Sequence, residues 1–133
     1  MPARVSVQTL LATDSELASI GVTSVYAANT VDTPTDRLFL VVKWEDSPVA
    51  FKTTGPDRFS VWVHDREHDY DRITKALQRV KDILVAAVHV PGSDGWVLSQ
   101  ADWQGEGPDL YDGGYDTRTR YADFQAATRY APS

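Results

Sequence analysis

Residues 57–87 read DRFSVWVHDREHDYDRITKALQRVKDILVAA, and two periodicities meet in them. Phe59, Val61 and Val63 fall on one side of an extended segment and Ser60, Trp62 and His64 on the other, because successive strand side chains point to opposite faces. From Asp69 the apolar spacing becomes three and four. Tyr70, Ile73, Leu77, Val80 and Leu84 then form a helical stripe, thickened by Ala76, Ile83 and Ala87. Arg72, Lys75, Gln78, Arg79, Lys81 and Asp82 are left facing water or a partner. One strand running into one long helix is thus the unit around which the rest is arranged.

Upstream, Arg37–Glu45 (RLFLVVKWE) is apolar at nearly every position, as expected of a central strand covered on both faces. Asp46–Asp57 carries Pro48, Gly55 and Pro56 and reads as a mobile connection with one apolar anchor, Phe51. At the N-terminus, Val7, Leu10, Leu11, Leu17 and Ile20 predict a helix, a break near Thr13 and a second short helix capped by Ser15 and ended by Gly21. Val22–Tyr26 predicts a minor strand, and Ala27–Asp36 a loop with Pro34.

Downstream, Pro91, Gly92, Ser93, Asp94 and Gly95 make Val88–Gly95 a chain reversal. Trp96–Trp103 and Arg118–Tyr130 alternate and predict an antiparallel hairpin. Between them Gln104–Thr117 (QGEGPDLYDGGYDT) holds four glycines and the acids Glu106, Asp109, Asp112 and Asp116, made adhesive by Leu110, Tyr111 and Tyr115. The expected architecture is a single α+β domain over residues 1–133: an antiparallel sheet of about four strands, helices on one face, and a long glycine-rich hairpin loop.

The chain has 133 residues and 42% hydrophobic content, enough for one core. It contains no Cys, which excludes disulfides, Cys-zinc sites and thiol catalysis. No apolar run reaches the ~20 residues of a membrane span, and MPARVSVQTL lacks a signal-peptide core, so a cytoplasmic protein is expected. A net charge of −6 argues against tracking nucleic-acid phosphates.

His64, Asp65, Glu67, His68, Asp69 and Asp71 are the densest set of potential ligands. His64 and His68 would share a helical face four residues apart, which leaves a small metal-dependent hydrolase as an alternative function. Acidic residues are expected where a helix begins, with Asp69 as its N-cap, and that reading is preferred over a metal or acid-base site. HDREH is not the zinc-protease HExxH, and the acidic loop lacks the ordered oxygen ligands of a calcium loop. GEGPDL is not followed by the Lys-Ser/Thr of a phosphate loop, no serine sits in a nucleophile elbow, and His89 is isolated at the helix end. No metal, cofactor or catalytic residue is therefore assigned. Trp44, Trp62, Trp96 and Trp103 all fall on predicted strands, and Trp62 is the best interface candidate because Phe59, Val61 and Val63 already supply that strand's core face.

VSVQTLLATDSELASIG, the DRFSVWVHDR strand followed by a DYDRI helix start, SQADW, and LYDGGYDTRTRYADF together resemble the tail terminator proteins of long, non-contractile-tailed (siphovirus) phages of actinobacteria. The similarity runs from about Val5 to Thr128. It implies a small α+β structural subunit, not an enzyme, that closes as a homohexameric ring on the head-proximal end of the tail tube. Such a ring ends tube polymerisation and presents a docking surface to the head-completion protein; another neck or head-to-tail connector subunit is the near alternative. The implied partners are further copies of the chain, the tail tube protein and the head-completion protein, with no membrane and no specific nucleic acid. The implied location is the neck of the virion, after assembly in the host cytoplasm. A ring needs unlike surfaces that meet between neighbours. For these the basic helix side (Arg72, Lys75, Arg79, Lys81) and the acidic loop (Glu106, Asp109, Tyr111, Asp112, Tyr115) are the candidates, together with Trp62.

Overall fold

The computed structural model describes residues 3–27, 37–45, 57–67 and 70–131. The period-two segment is strand β3 (Asp57–Asp65), and the helical stripe is α3 (Asp71–Ala86). Before them come α1 (Arg4–Ala12), α2 (Ser15–Ile20), β1 (Ser24–Ala27) and β2 (Leu38–Trp44). After them come β4 (Val88–Pro91), β5 (Trp96–Glu106), β6 (Leu110–Asp112) and β7 (Thr117–Tyr130). Of the connections read over Ala27–Asp36 and Asp46–Asp57, residues 28–36 and 46–56 lie outside the described residues, while Ala27 ends β1 and Asp57 begins β3.

The α+β class holds, but the sheet has seven strands among the described residues rather than about four. Their order is β1-β2-β3-β7-β5-β4, with β6 also on β7. Nor is the sheet wholly antiparallel, since β1 runs parallel to β2. Two strands were hidden by turn-forming residues. Val88–Pro91, read as part of a reversal, pairs with β5 through Val88↔Gln100, Val90↔Leu98 and Pro91↔Val97. Proline is tolerated there because β4 is an edge strand. In the glycine-rich segment, β5 continues to Glu106 and Leu110–Asp112 pairs back onto Thr117–Thr119.

β7 is the axis of the sheet. One of its edges meets β3 from Asp57↔Ala126 to Asp65↔Arg118. Its other edge meets β5 over Ala122–Tyr130 and then β6 over Thr117–Thr119. The β5 register slips twice, between Leu98 and Gln100 and between Trp103 and Gly105. Gly105 sits at the second slip with φ +148, a conformation that only glycine adopts without strain.

The core forms because the two periods match. Phe59, Val61 and Val63 from β3, Leu38, Leu40 and Val42 from β2, and Ala122, Phe124 and Ala126 from β7 face Ile73, Ala76, Leu77, Val80 and Leu84 of α3. Val7 and Leu11 of α1 complete it. Each large aliphatic chain so buried stabilises the fold by roughly 1.5–3 kcal/mol relative to exposure. The cap of α2 is Asp14 rather than Ser15: its carboxylate accepts a 2.9 Å hydrogen bond from the Leu17 N–H. Gly21, at φ +120, ends that helix as expected. α3 begins after Tyr70, which makes no side-chain cap bond; the expected cap, Asp69, lies outside the described residues.

The same alternation that buries Phe59, Val61 and Val63 also buries Asp65, completely. Arg72, one residue into α3, answers it with Nε 2.9 Å from Oδ2 and Nη2 2.6 Å from Oδ1. The Glu67 N–H donates to Oδ1 at 2.9 Å. A carboxylate without water is tolerable only when paired and hydrogen-bonded in this way. Arg72→Met, which keeps the aliphatic stem and removes the guanidinium, is expected to cost about 3–5 kcal/mol of unfolding free energy in urea titration. A loss below about 1 kcal/mol would show that water reaches Asp65.

Candidate functional site

Three surfaces hold the residues singled out from the sequence. The first is the sheet face turned away from the helices, where period two places Phe39, Trp62, His64 and Tyr121. Trp62 is half-buried, stacked on Tyr121 with ring centres 4.4 Å apart, and its indole N–H donates to Ser60 Oγ at 2.9 Å. The Lys43 ammonium lies 4.5 Å from the centre of the Trp62 ring. His64 is buried and stacked on Phe39 at 5.0 Å, with Nδ1 2.8 Å from Thr117 Oγ1. Burial pushes its imidazole down to about 4.

His64 and Asp65 therefore occupy opposite faces of one strand, and Asp65 is committed to Arg72. Glu67 meets Arg37 at 3.2 Å. Glu67 also lies 3.5 Å from the Arg72 guanidinium, so it and Asp65 gather around a cation on the side away from His64, and among the described residues no three His, Cys, Asp or Glu side chains are grouped for a metal. His68 and Asp69 lie outside the described residues. His89 is a strand residue of β4 with φ +54 rather than a frayed helix end, and its Nδ1 lies 2.7 Å from the Arg129 guanidinium.

The second surface is the outer side of α3. Its arginines, expected to face water or a partner, reach acids of the chain itself. Arg72 closes on Asp65, and Arg79 grips the cap of α2, with Nε 3.0 Å and Nη2 2.8 Å from the two Asp14 oxygens. The Arg79 bond holds the Asp14 carboxyl below its ordinary range, and Asp14 in turn raises Arg79. What remains outward is Lys75, exposed, and Lys81, whose ammonium sits 4.0 Å over the Trp103 ring. Trp103 and Val85 are both exposed here.

The third surface is the acidic segment, which is a folded arm rather than a loop. Asp112 Oδ1 accepts from the N–H groups of Gly114 and Tyr115, turning the chain back toward β7. Tyr115 thereby sets its ring edge-on against Phe39 and His64, covering the sheet face from within the chain. Asp109 accepts from Arg120, and the Tyr111 hydroxyl donates to Asp116, which raises the Tyr111 pKa. The Tyr70 hydroxyl ties the arm to α3 through Leu110 O at 3.0 Å. Glu106, Leu110 and Tyr111 stay exposed. The chemistry that these surfaces offer is recognition by apolar contact and charge. Sequence spacing missed Val85 and the partners of Arg72 and Arg79, because the acids that claim them lie 7 and 65 residues away.

No family model matches the chain, and no curated protein matches it. Among solved structures, a chain from the virion of a native gene transfer agent (GTA) particle has the same fold, with a TM-score of 0.67 and 23% identity over 94% of this chain and 92% of that one. A second solved structure matches at a TM-score of 0.50 and 12% identity, over 82% of this chain and 81% of the other. At these identities the likeness is one of fold.

Two outcomes follow for the sheet face. His64 stays neutral in the folded chain down to about pH 4, whereas an unfolded histidine takes up a proton near 6.5. Its contribution to stability is complete above pH 6.5 and is lost as pH falls from there to about 4, amounting to about 2 kcal/mol between pH 7.5 and pH 5. Urea titrations of wild type and His64→Phe at the two pH values check this: only the wild type should show that loss. Separately, a Cβ at Gly107 would meet the Tyr121 ring at 2.1 Å. Gly107→Ala is expected to cost about 1–3 kcal/mol and, by moving Tyr121 off Trp62, to change the tryptophan fluorescence.

Proposed function

We propose that this chain is a structural protein of a phage-like virion, a tail terminator that caps the head-proximal end of the tail tube as a ring, probing no substrate and carrying out no chemistry. The observation that carries the reading is the agreement of fold along nearly the whole chain with a chain of the gene transfer agent virion. The resemblance of VSVQTLLATDSELASIG, DRFSVWVHDR and LYDGGYDTRTRYADF to tail terminators of siphoviruses supports the finer role.

The ring, a homohexamer in this reading, stops addition of tail tube protein on one side and receives the head-completion protein on the other. It is built in the host cytoplasm and retained at the neck. A closed ring requires each subunit to present two unlike surfaces. The side of α3 around Lys75 and Lys81 and the arm around Glu106, Asp109, Tyr111 and Asp112 supply surfaces of different composition, and Trp62 with Lys43 offers a third for the tube or the head.

Particles assembled without this protein should carry tails of uncontrolled length and heads that remain unjoined, as seen by electron microscopy. Normal tails with unjoined heads would move the protein to another position in the neck, and normal particles would remove it from the neck altogether.

A further inference from the structure

The large exposed apolar side chains near α3 fall at its two ends. At one end are Leu110 and Tyr111 on the arm, 37% and 53% exposed and tied to the helix through Tyr70. At the other are Val85 and Trp103, 51% and 38% exposed. Lys81 lies over Trp103 and, four residues before Val85, shares its helical face. From Tyr70 to Lys81 the helix advances roughly 16 Å, so the two patches are distinct.

Their charges differ as well as their positions. Around Tyr111 stand Asp109, Asp112 and Asp116, against which Arg120 is bound to Asp109 and Arg118 lies 5.4 Å from the Tyr111 ring. The arm is therefore net acidic. Around Trp103 the helix presents the Lys81 ammonium directly over the ring, while the exposed Asp82 keeps its charge and accepts from Gln78, one turn back along the helix, at 3.0 Å. An apolar tip ringed by acids faces, at the other end, an apolar strip crossed by a cation.

We infer that the arm tip of one copy docks on the Lys81–Val85–Trp103 strip of another. Leu110 and Tyr111 cover Val85 and Trp103, and Lys81 meets the arm carboxylates. The contact rests on the ring reading above and deepens it by naming the two surfaces that repeat head to tail. Apolar cover supplies the affinity, and the charges set register and rate of association.

The absence of cysteine makes the test direct. Val85→Cys and Tyr111→Cys chains, mixed under mild oxidation, should give a disulfide heterodimer at about tenfold the yield of either variant alone. Ala18→Cys, exposed on α2, serves as the collision control. A chain carrying both cysteines should give a ladder beyond the dimer. Heterodimer yields no higher than those of Ala18→Cys would overturn the contact, and a double variant that stops at dimers would overturn its head-to-tail repeat. Particles with uncontrolled tails but no heterodimer would reject this contact and leave the terminator reading standing. A heterodimer together with normal particles would do the reverse.

Discussion

The fold depends on the fit between one face of β3 and one stripe of α3, and on the ion pair that closes it at the turn. Phe59, Val61 and Val63 present a period-two row to Ile73, Leu77, Val80 and Leu84, and water is excluded from both. The next residue on that row is Asp65, whose fully buried carboxylate is held by Arg72. The pair thus sets the angle at which the helix leaves the strand. Arg79, two turns on, repeats the device by fastening α3 to the cap of α2. Two arginines on the side of the helix that looks free are in this way internal struts, and the surface open to partners shrinks to the lysines.

The other face of the sheet follows a different logic. Among the described residues no helix covers it, yet Phe39 and His64 are buried. The cover comes from the chain's own acidic segment, which Asp112 turns back so that Tyr115 rests on both rings. The segment serves two ends at once, sealing aromatic residues with Tyr115 and holding Leu110 and Tyr111 outward. A neutral, desolvated His64 is the consequence of that seal.

Elements with a long, clean period were readable from the sequence: β3, α3, β2, and the pairing of β5 with β7 all stand where the spacing of Val, Leu and Phe put them. Elements specified by partners were not. Val88–Pro91 looks like a reversal because its strand character comes from pairing with Gln100, Leu98 and Val97, and the proline masks it. Leu110–Asp112 is too short to show a period, and the glycines around it read as loop. Ser15 and Asp14 are both good caps, and only the Leu17 N–H chooses between them. For the candidate surfaces, Trp62, Lys81 and Tyr111 could be named in advance as polar or aromatic residues left off the core face. That Arg72 and Arg79 were already taken could not, because a one-dimensional pattern shows which way a side chain points and not what waits there.

β7 is 14 residues long and is served along one edge by two strands in succession, β5 and then β6. Its other edge is bonded to β3 over nine of those positions, from Arg118 to Ala126. Hydrogen bonds between antiparallel strands stand perpendicular to the strand direction, so a pull along β7 loads them together instead of opening them one at a time. A tug on the arm enters the body of the protein in shear, the direction in which a sheet is stiffest. An arm mounted this way transmits tension without lengthening.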